Sequence, residues 1–345
     1  MVKKVMVAMS GGVDSSVTAF LLKQQGYEVE GITMHLSRER PIGESPLIQD
    51  AALTAQALGI KHHAVDCSSL FEDAVVKYFV ESYKLGQTPN PCVRCNQIMK
   101  FGFLLQEALR LECSLFATGH YVQLEDGMIR RATDLHKDQS YFLYPLYGID
   151  VGGLLFPLGS YSKPQVREIA RKNNLPCADR GESQDICFIP DGSYVDFVQS
   201  KLDEPAVPGP IIDINGNIIG KHNGIYKYTT GQRKGLGALG KRMFVREIIP
   251  ERNTVVAVED KDLFSAGIMV KNLICGKLSL EFVTKCSVQV RYRSQPTGCT
   301  IIDYDGKSCR VHFDEPVRAP SSGQSAVFYD GDTVIAGGII TGEKV

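Results

Sequence analysis

Near its amino terminus the chain contains the stretch Val5-Met-Val-Ala-Met-Ser-Gly-Gly-Val-Asp-Ser-Ser16. Residues 3–9 are rich in Val and Met, which predicts a buried strand. Two glycines then break the strand, and the pattern from Asp14 to Gln25 predicts a helix that stops before Gly26. A strand, a glycine turn and a helix in this order are typical of a phosphate-binding site, because the helix start offers unpaired N–H groups and a partial positive charge.

The side chains of this loop indicate which kind of phosphate-binding loop it is. It lacks the lysine that a Walker A loop carries after its second glycine. The glycines let the backbone approach an anion closely, and Ser10, Ser15 and Ser16 add hydroxyl donors. Without a lysine, the carboxylate of Asp14 is unfavourable beside a polyphosphate, so we expect Mg²⁺ to bridge the two. The alternative is an ordinary serine-capped turn between a strand and a helix.

Strands and helices continue to alternate after the loop. Further strands are predicted at residues 27–34, 60–66 and 113–118. Further helices are predicted at residues 46–58, 70–84 and 97–109. This alternation implies a parallel sheet with helices on both faces.

The pattern changes near residue 190. From Pro205 onward, short runs of Val, Ile and Phe alternate with turns, which is typical of hairpins and small antiparallel barrels. The turns are Asn215-Gly216, Asn223-Gly224, Asp305-Gly306 and Asp330-Gly331. We predict an α/β nucleotide-binding domain with a helical extension over residues 1–203, followed by two small antiparallel β-barrel domains over residues 204–276 and 277–345.

Composition excludes several classes of protein. The 345 residues are 43% hydrophobic and 22% charged, with a net charge of -1, so the chain can bury real cores. No apolar run approaches the length of a membrane span, and the amino terminus lacks the cleavage site of a signal peptide. The ten cysteines are scattered along a chain far longer than a disulfide-stapled miniprotein. We therefore expect a cytoplasmic protein with no membrane partner.

Two cysteines lie three residues apart in the segment Asn90-Pro-Cys-Val-Arg-Cys-Asn-Gln97. We place Cys95 one or two residues from a helix start and near Arg94 and Lys100, and both features favour the thiolate. Three interpretations of Cys92 and Cys95 stay open: a redox pair, half of a metal site, or catalytic thiols. A four-cysteine zinc site would need a second closely spaced pair, which the chain lacks.

Another cysteine, Cys187, lies in the apolar run Ile186-Cys-Phe-Ile189, within the segment that begins at Gly181. An isolated cysteine among apolar residues is usually buried. We therefore expect the thiol of Cys187 to be shielded from water.

A basic stretch covers residues 221–252, which contain eight lysines and arginines and two glutamates, giving a net charge of +6. It includes the loop Gly231-Gln-Arg-Lys-Gly-Leu-Gly237, whose Arg233 and Lys234 suit contact with a phosphate backbone. The alternative is a solvated protein surface.

Taken together, these motifs resemble those of the tRNA-specific 2-thiouridylases, a family of PP-loop (adenine nucleotide α-hydrolase-like) ATP pyrophosphatases. The matching motifs are AMSGGVDSS, TPNP-x-x-x-CN, ATGHY, KDQSYFL, the Cys187 segment, TTGQRKGLG, VRYR and SGQSAVFY, and they cover the chain from end to end. The resemblance implies that ATP adenylates O2 of the wobble uridine in the tRNAs for Lys, Glu and Gln. A cysteine persulfide then transfers sulfur to C2, giving 2-thiouridine, AMP and pyrophosphate.

The resemblance also implies roles for individual residues. Cys95 matches the family's nucleophile, and Cys187 matches the cysteine that carries the persulfide. The loop argument above makes Asp14 a candidate catalytic residue and Mg²⁺ ligand. The residues implied to bind ATP are Ala8, Met9, Ser10, Gly11, Gly12, Val13, Asp14, Ser15, Met34 and Gly119. Those implied to contact the target base or the tRNA are Asn90, Pro91, Cys92, His120, Lys137, Asp138, Gln139, Arg291, Tyr292 and Gln324, with Arg233 and Lys234 as further contacts.

One position departs from the family, which more often has Asp where this chain has Cys92. A third cysteine raises an alternative, in which Cys92, Cys95 and Cys187 hold a [4Fe–4S] cluster with one open iron. The implied partners are tRNA and a sulfur donor such as a cysteine desulfurase relay. Two other functions compete: a PP-loop synthetase, which needs neither paired cysteines nor barrels, and a non-catalytic RNA-binding protein, which has no use for an intact phosphate loop.

Overall fold

A computed structural model of the chain describes residues 2–181, 186–189, 193–202, 205–237, 240–277, 283 and 285–343. The chain divides into two compact units. The first comprises Met1–Val75, Cys92–Gln184 and Asp332–Val334. The second comprises Val76–Pro91, Asp185–Gly331 and Ile335–Val345.

The first unit is built on a parallel sheet. Its strands are β1 (Lys4–Ala8), β2 (Glu28–His35), β3 (Lys61–Asp66), β4 (Leu115–Thr118), the short pair β5 (Gln123–Glu125) and β6 (Met128–Arg130), and β7 (Leu154–Leu155). Five of them form the sheet in the order β3-β2-β1-β4-β7, and each neighbouring pair is parallel. The predicted parallel sheet is confirmed.

The described helices include the four predicted ones, three of which lie close to their predicted positions, and two that were not predicted individually. They are α1 (Val13–Gln24), α2 (Pro46–Leu58), α3 (residues 68–84), α4 (residues 91–110), α5 (Lys163–Lys172) and α6 (Tyr194–Ser200). Within α3 the segment Glu72–Val76 is π-wound, and within α4 the segment Asn96–Leu104 is π-wound. Helix α4 begins six residues before its predicted start, and this shift changes the environment of Cys95.

The core of the first unit explains why these segments adopt their structures. Val5 and Val7 alternate along β1 and are fully buried against Val17 of α1, Ala51 of α2 and Val166 of α5. Helix α5 begins with a capping box in which Ser162 and Gln165 bond each other's backbone groups. The amino end of α5 is therefore held in a fixed place.

The middle sheet belongs to the second unit and contains β8 (Pro208–Ile212), β9 (Ile218–Asn223), β10 (Phe244–Ile249) and β11 (Thr254–Val258). Its order is β10-β11-β8-β9, and β11 runs parallel to β8. The prediction that this domain is purely antiparallel is wrong, because its sheet is mixed. Turn residues specify only local hairpins such as β8–β9, whereas the long connection over residues 224–243 allows β11 to pair with β8 in the same direction.

The last sheet also lies mainly in the second unit. It contains β12 (Phe264–Cys275), β13 (Lys285–Gln289), β14 (Thr297–Ile302), β15 (Ser308–Arg318), β16 (Ser325–Asp330) and β17 (Thr333–Ile340). These six strands follow the order β12-β15-β14-β13-β16-β17, and antiparallel pairing of β12 with β17 closes an antiparallel barrel. The predicted C-terminal barrel is confirmed, and Gly306 and Gly331 occupy its turns with φ of 86° and 54°.

The predicted domain boundaries after residues 203 and 276 remain predictions. Residues 203 and 204 lie outside the described residues, and β12, which precedes the second boundary, pairs with β15 and β17. In the part of the chain that is described, every helix is too short or too polar to cross a membrane.

Candidate active site

The phosphate loop leaves the carboxyl end of β1 and leads directly into α1. Gly12 occupies the N-cap position, and Gly11 adopts a φ of 71°. A Cβ on Gly11 would lie 2.6 Å from Cβ of Asp50, so only glycine fits. Ser15 Oγ accepts a hydrogen bond from the Ser10 N–H at 3.1 Å, and Ser16 Oγ donates to the Gly12 carbonyl at 2.8 Å. The loop is therefore fixed in shape before any anion binds.

The acid of the loop is already paired with a cation. Lys163 Nζ lies 2.7 Å and 2.8 Å from the two carboxylate oxygens of Asp14, and the Tyr121 hydroxyl donates to Asp14 Oδ1 at 2.7 Å. Only 10% of the Lys163 side chain is exposed. The capped start of α5 therefore brings to the loop a lysine that the loop sequence lacks.

This pairing corrects the expectation that Asp14 binds Mg²⁺. That expectation rested on the absence of a lysine near the loop, and Lys163 supplies one from 149 residues away. A carboxylate whose two oxygens both accept from an ammonium group is a poor additional ligand for a divalent cation. Asp14 instead holds the ammonium group beside the helix start.

Gly119 and His120 follow β4 and adjoin the same helix start. A Cβ on Gly119 would lie 2.9 Å from the Ser15 nitrogen, so glycine allows this close approach. His120 is buried; its Nδ1 lies 2.7 Å from Thr118 Oγ1 and its Nε2 lies 3.3 Å from Lys100 Nζ. Burial and the charge of Lys100 hold the pKa of His120 well below its usual value.

The contact of His120 with tRNA remains a prediction, and in this structure both ring nitrogens have protein partners. An ammonium group only donates, so Nε2 of His120 accepts from Lys100 and Nδ1 donates to Thr118. Both ring nitrogens face protein groups. The ring positions Lys100, which lies five residues after Cys95 on α4.

Side chains of the Lys137-Asp138-Gln139 loop bond other protein groups near the site. Asp138 is buried, pairs with Arg131 at 2.9 Å, and accepts hydrogen bonds from the Ala132 and Ser140 backbone nitrogens. Gln139 Oε1 accepts from the Tyr121 N–H at 3.0 Å. The Asp138 carboxylate thus fixes the loop, and Gln139 bonds the backbone of the tyrosine that bonds Asp14. The tRNA contacts predicted for this loop remain predictions.

Arg180 makes a further contact with the phosphate loop. Its Nη1 donates to the Gly11 carbonyl at 3.2 Å, and its guanidinium pairs with the Asp50 carboxylate. Arg180 immediately precedes Gly181, where the Cys187 segment begins.

Cys92 and Cys95 both lie in α4, which begins earlier than predicted. The helix begins at Pro91, so Cys92 is its second residue and Cys95 its fifth. Proline favours the first turn of a helix, which explains the early start. Cys92 is exposed and Cys95 is half-buried. The prediction that Cys95 lies one or two residues from a helix start is therefore wrong.

Cys187 lies in a turn and is exposed. The expectation that it is shielded from water is wrong in this conformation, because its two neighbours provide the apolar contacts instead. Ile186 and Phe188 pack in a cluster with Phe79, and the rings of Phe79 and Phe188 lie 5.4 Å apart. Residues 182–185 of the same segment lie outside the described residues.

Two predicted tRNA contacts in the second unit act as braces. Gln324 Nε2 donates to the carbonyls of Thr88 and Pro89 at 2.9 Å and 3.1 Å. Arg291 Nη2 donates to Thr230 O, Ala319 O and Ser321 Oγ at 2.8, 2.8 and 2.6 Å. In this structure Gln324 therefore holds the loop that leads into α4, and Arg291 holds the start of the basic loop. Their contacts with tRNA remain predictions.

The other predicted contacts differ in exposure. Asn90 and Pro91 are buried at the start of α4, whereas Met34, Lys137 and Tyr292 are half-buried. Arg233 and Lys234 are exposed on the basic loop. Gln232 shapes that loop, since its amide accepts from Thr229 N and donates to the carbonyls of Lys227 and Lys234.

The described residues contain no preformed metal-binding site. Among them, no three His, Cys, Asp or Glu side chains are grouped so that they could hold a metal ion. The described cysteines away from α4 and residue 187 are largely core residues. Burial raises the pKa of Cys67 and of Cys309 to about 12, which keeps both thiols protonated and unreactive.

Sequence reasoning missed three residues of the site: Lys163, Tyr121 and Arg180. The capping pattern Ser162-Lys-Pro-Gln165 marks a helix start and could have predicted α5. No local pattern could have predicted that the lysine reaches Asp14, since that contact depends on how α5 packs against α1.

A parallel sheet with a glycine phosphate loop at the carboxyl end of its first strand defines a nucleotide-binding protein of the HUP class. Three family models match in succession: the tRNA methyl transferase HUP domain over residues 3–191, the tRNA methyl transferase PRC-barrel domain over residues 195–259, and the aminomethyltransferase beta-barrel domain over residues 268–340.

The full-length relatives are more specific. The chain is 43% identical to tRNA-specific 2-thiouridylase MnmA 1 of Caldanaerobacter subterraneus subsp. tengcongensis, covering 98% of this chain and 97% of the relative. It is 44% identical to tRNA-specific 2-thiouridylase MnmA of Carboxydothermus hydrogenoformans over the same shares. The chain belongs to the tRNA-specific 2-thiouridylase family. The names of the three matching families mention methyl transfer. Methyl transfer does not require a phosphate loop, whereas the ATP-dependent chemistry of the thiouridylases does.

Proposed function

We propose that the protein is an ATP-dependent tRNA-uridine 2-sulfurtransferase that converts the wobble uridine of tRNA to 2-thiouridine. The observation that carries the proposal is the phosphate loop with its Asp14–Lys163 pair, on a chain that also bears Cys95 and an exposed Cys187. The match to thiouridylases over 98% of the chain supports it.

The first half of the reaction makes a leaving group. Uridine O2 attacks the α-phosphorus of ATP, an O–P bond forms, and the bond to the β-phosphate oxygen breaks to release pyrophosphate. The N–H groups at the start of α1 and the ammonium of Lys163 are suited to stabilise the charge of the departing pyrophosphate. Met34 and Gly119 would adjoin the adenosine, at the carboxyl edge of the sheet where α/β folds bind ligands.

The second half transfers sulfur. The terminal sulfur of a persulfide on Cys187 attacks C2, forming a C–S bond while the C–O bond to AMP breaks. The Cys95 thiolate then attacks the inner sulfur of Cys187, which breaks the S–S bond to the thiouridine and leaves a Cys95–Cys187 disulfide. An external thiol reductant regenerates both thiols. The exposure of Cys187 supports its loading by a sulfur-donor protein such as a cysteine desulfurase relay.

The RNA is bound through charge and by opening the anticodon loop. Arg233 and Lys234 are exposed on a loop that Gln232 holds in shape, which suits contacts to a phosphate backbone. A base in a single-stranded loop leaves its stack at little cost. The substrates we expect are the tRNAs for Lys, Glu and Gln. A reaction on tRNA with ATP would take place in the cytoplasm.

This mechanism uses neither an Mg²⁺ ion bound by Asp14 nor a [4Fe–4S] cluster. Asp14 does not fit as an Mg²⁺ ligand, so Mg²⁺ would arrive as the counter-ion of ATP. A [4Fe–4S] cluster on Cys92, Cys95 and Cys187 would draw its ligands from both units and stays the alternative to the persulfide. Every step above is therefore assigned to side chains of the protein and to its substrates.

Mass spectrometry of tRNA nucleosides tests the proposal. The protein is incubated with unmodified tRNA, MgATP and a persulfide donor, and the RNA is digested. We expect 2-thiouridine at the wobble position, together with AMP and pyrophosphate, and no product when ATP is omitted. Sulfur at another position, or thiolation without ATP, would contradict the proposal.

A further inference from the structure

Two cysteines outside the active site contact each other across neighbouring strands of the C-terminal barrel. Cys286 on β13 and Cys299 on β14 are directly opposite each other in the antiparallel register. Their sulfur atoms are 3.6 Å apart, within the distance at which one thiol donates a hydrogen bond to the other. The mechanism proposed above uses neither of these two thiols.

The backbone at this pair has the spacing that a disulfide requires. Residues directly opposite each other in antiparallel strands have Cα atoms about 4.5 or 5.5 Å apart. Both spacings lie within the range of about 4.4–6.8 Å that disulfides span. The two sulfur atoms must approach from 3.6 Å to a bond length of about 2.0 Å, which small side-chain rotations and a slight approach of the strands can supply. A disulfide here therefore requires no change of strand register.

The two thiols differ in their exposure and in their readiness to react. Cys299 is 1% exposed and belongs to the barrel core, whereas Cys286 is half-buried and packs against that core. The hydrogen bond with Cys286, together with burial, raises the pKa of Cys299 well above its ordinary value. Because the thiolate is the nucleophile, a buried thiol that stays protonated does not react first with an oxidant from solution. Cys286 is therefore the thiol that an oxidant meets first, and Cys299 is its internal partner.

We propose that Cys286 and Cys299 form a redox-active dithiol, distinct from Cys95 and Cys187, which low-molecular-weight disulfides oxidise to an intramolecular disulfide. The Cys286 sulfur attacks one sulfur of the small disulfide, whose S–S bond breaks to release one small thiol. The Cys299 sulfur then attacks the Cys286 sulfur of this mixed disulfide, which forms the cross-strand bond and releases the second small thiol. The two cysteine protons end on the two released thiols, so two protein thiols are oxidised for each small disulfide reduced.

The cross-strand bond would close a ring of chain that contains the loop between β13 and β14. This loop covers residues 290–296 and includes Arg291, whose guanidinium donates to the Thr230 carbonyl and to the Ser321 hydroxyl. Since the two strands are already paired at the cysteines, the bond would keep the hairpin in its present register. It would also restrict the unfolded chain, so we expect the oxidised protein to be more stable than the reduced one.

Peptide mapping tests the proposal on the unmodified, folded chain. The protein is incubated with oxidised and reduced glutathione at a series of ratios, free thiols are alkylated under denaturing conditions, and the monomer band of a non-reducing gel is digested with trypsin. Trypsin cuts after Arg291 and Arg293, so a bond between the two cysteines joins peptides 286–291 and 294–307. We expect this linked pair at oxidising ratios and its loss after reduction.

Three results of the mapping would overturn the proposal. The first is recovery of both cysteines in alkylated form even at the most oxidising ratio. The second is a mixed disulfide of Cys286 with glutathione that goes no further in the unmodified protein. The third is a disulfide from Cys286 to a different cysteine.

Variants separate the roles of the two thiols. Cys299→Ala should leave Cys286 as a stable mixed disulfide with glutathione, whereas Cys286→Ala should leave Cys299 free of glutathione because the buried thiol does not meet the oxidant. Glutathione on Cys299 in the second variant would contradict the assignment of Cys286 as the first thiol to react. Cys275→Ala changes a half-buried cysteine of the same barrel and should retain the linked peptides.

Thermal unfolding gives a readout that does not depend on peptide recovery. Oxidation should raise the unfolding temperature of the unmodified protein by roughly 5 °C or more relative to the reduced protein. The Cys286→Ala variant should lack this increase, and any effect of a bond between other cysteines appears in both proteins. An equal shift in both proteins would contradict the proposed bond.

Discussion

The phosphate loop and the cysteine-bearing segments differ in whether their functional side chains are held by partners or exposed to solvent. At the loop every functional side chain already has a partner: Asp14 holds Lys163, Tyr121 holds Asp14, and Gln139 holds Tyr121. The thiols of Cys92 and Cys187 are instead exposed. The difference matches two tasks, since stabilising charge requires fixed groups, whereas loading and passing on sulfur requires accessible ones.

The largest expected effect concerns the cysteines. Cys187→Ser and Cys95→Ser should each abolish thiolation, because one carries the sulfur and the other releases it. Cys92→Ser should retain a substantial part of the activity, since the proposed chemistry does not use it. The readout is 2-thiouridine measured by mass spectrometry, and buried Cys177→Ser serves as the control.

The same variants separate the persulfide mechanism from a cluster. A cluster needs all three thiolates equally, so its loss should follow any of the three substitutions. If protein purified without oxygen holds about four irons per chain, and Cys92→Ser loses both iron and thiolation, the cluster should replace the persulfide in the mechanism.

The next largest effect is expected at the phosphate loop, whose side chains are held by partners. Lys163→Met should lower kcat for pyrophosphate release by roughly 10²–10³-fold, the usual effect of removing one charge-stabilising group. Asp14→Ala should also abolish release, because the lysine loses its anchor, and tRNA binding should stay nearly intact in both. Lys172→Met, at the exposed end of the same helix, is the matched control. Near-normal release by Lys163→Met would show that the pair is only structural.

A smaller effect is expected at the basic loop. Arg233→Gln and Lys234→Gln should each weaken tRNA binding and reduce the log–log salt slope by about one. Binding is measured by filter retention or anisotropy across salt concentrations. Arg110→Gln, an exposed arginine in the first unit, should leave the slope unchanged. An unchanged slope in the loop variants would mean that this loop does not meet the RNA.

The smallest effect concerns stability and its dependence on pH. Because the pKa of His120 is lowered in the folded protein, below about pH 6.5 the unfolded chain binds a proton that the folded protein excludes. The free energy of unfolding should therefore fall as the pH drops from 6.5, by at most about 1.4 kcal/mol per pH unit from this residue. His120→Asn should show a shallower dependence in urea unfolding at pH 5 to 7. An identical slope would show that His120 is not held neutral.

The sequence predicts local features well and distant contacts poorly. The phosphate loop, the parallel sheet and the hairpin turns at Asn215-Gly216, Asp305-Gly306 and Asp330-Gly331 depend on neighbouring residues, and each is found where expected. The predicted turn at Asn223-Gly224 ends β9 without forming a hairpin. The start of α4 was misplaced because the polar sequence around Cys95 obscured the signal of Pro91 at the first turn. The parallel pairing of β11 with β8 and the reach of Lys163 to Asp14 depend on packing between segments far apart in the chain, which no local pattern encodes.

Residue type also proved an incomplete guide to role. Arg291, Gln324 and Asp138 have the chemistry of RNA contacts, yet each uses its polar atoms to hold a loop in place. Burial and bonding partners separate such braces from Arg233 and Lys234, and neither property can be obtained from the sequence alone.

The central claim is that O2 of the uridine becomes part of AMP, and isotope transfer tests it most directly. An anticodon stem-loop carrying a wobble uridine labelled with ¹⁸O at O2 is thiolated with unlabelled ATP, and the AMP is analysed by mass spectrometry. Adenylation at O2 places the label in the phosphate of AMP, in a one-to-one ratio with 2-thiouridine. Thiolated RNA accompanied by unlabelled AMP would contradict the account.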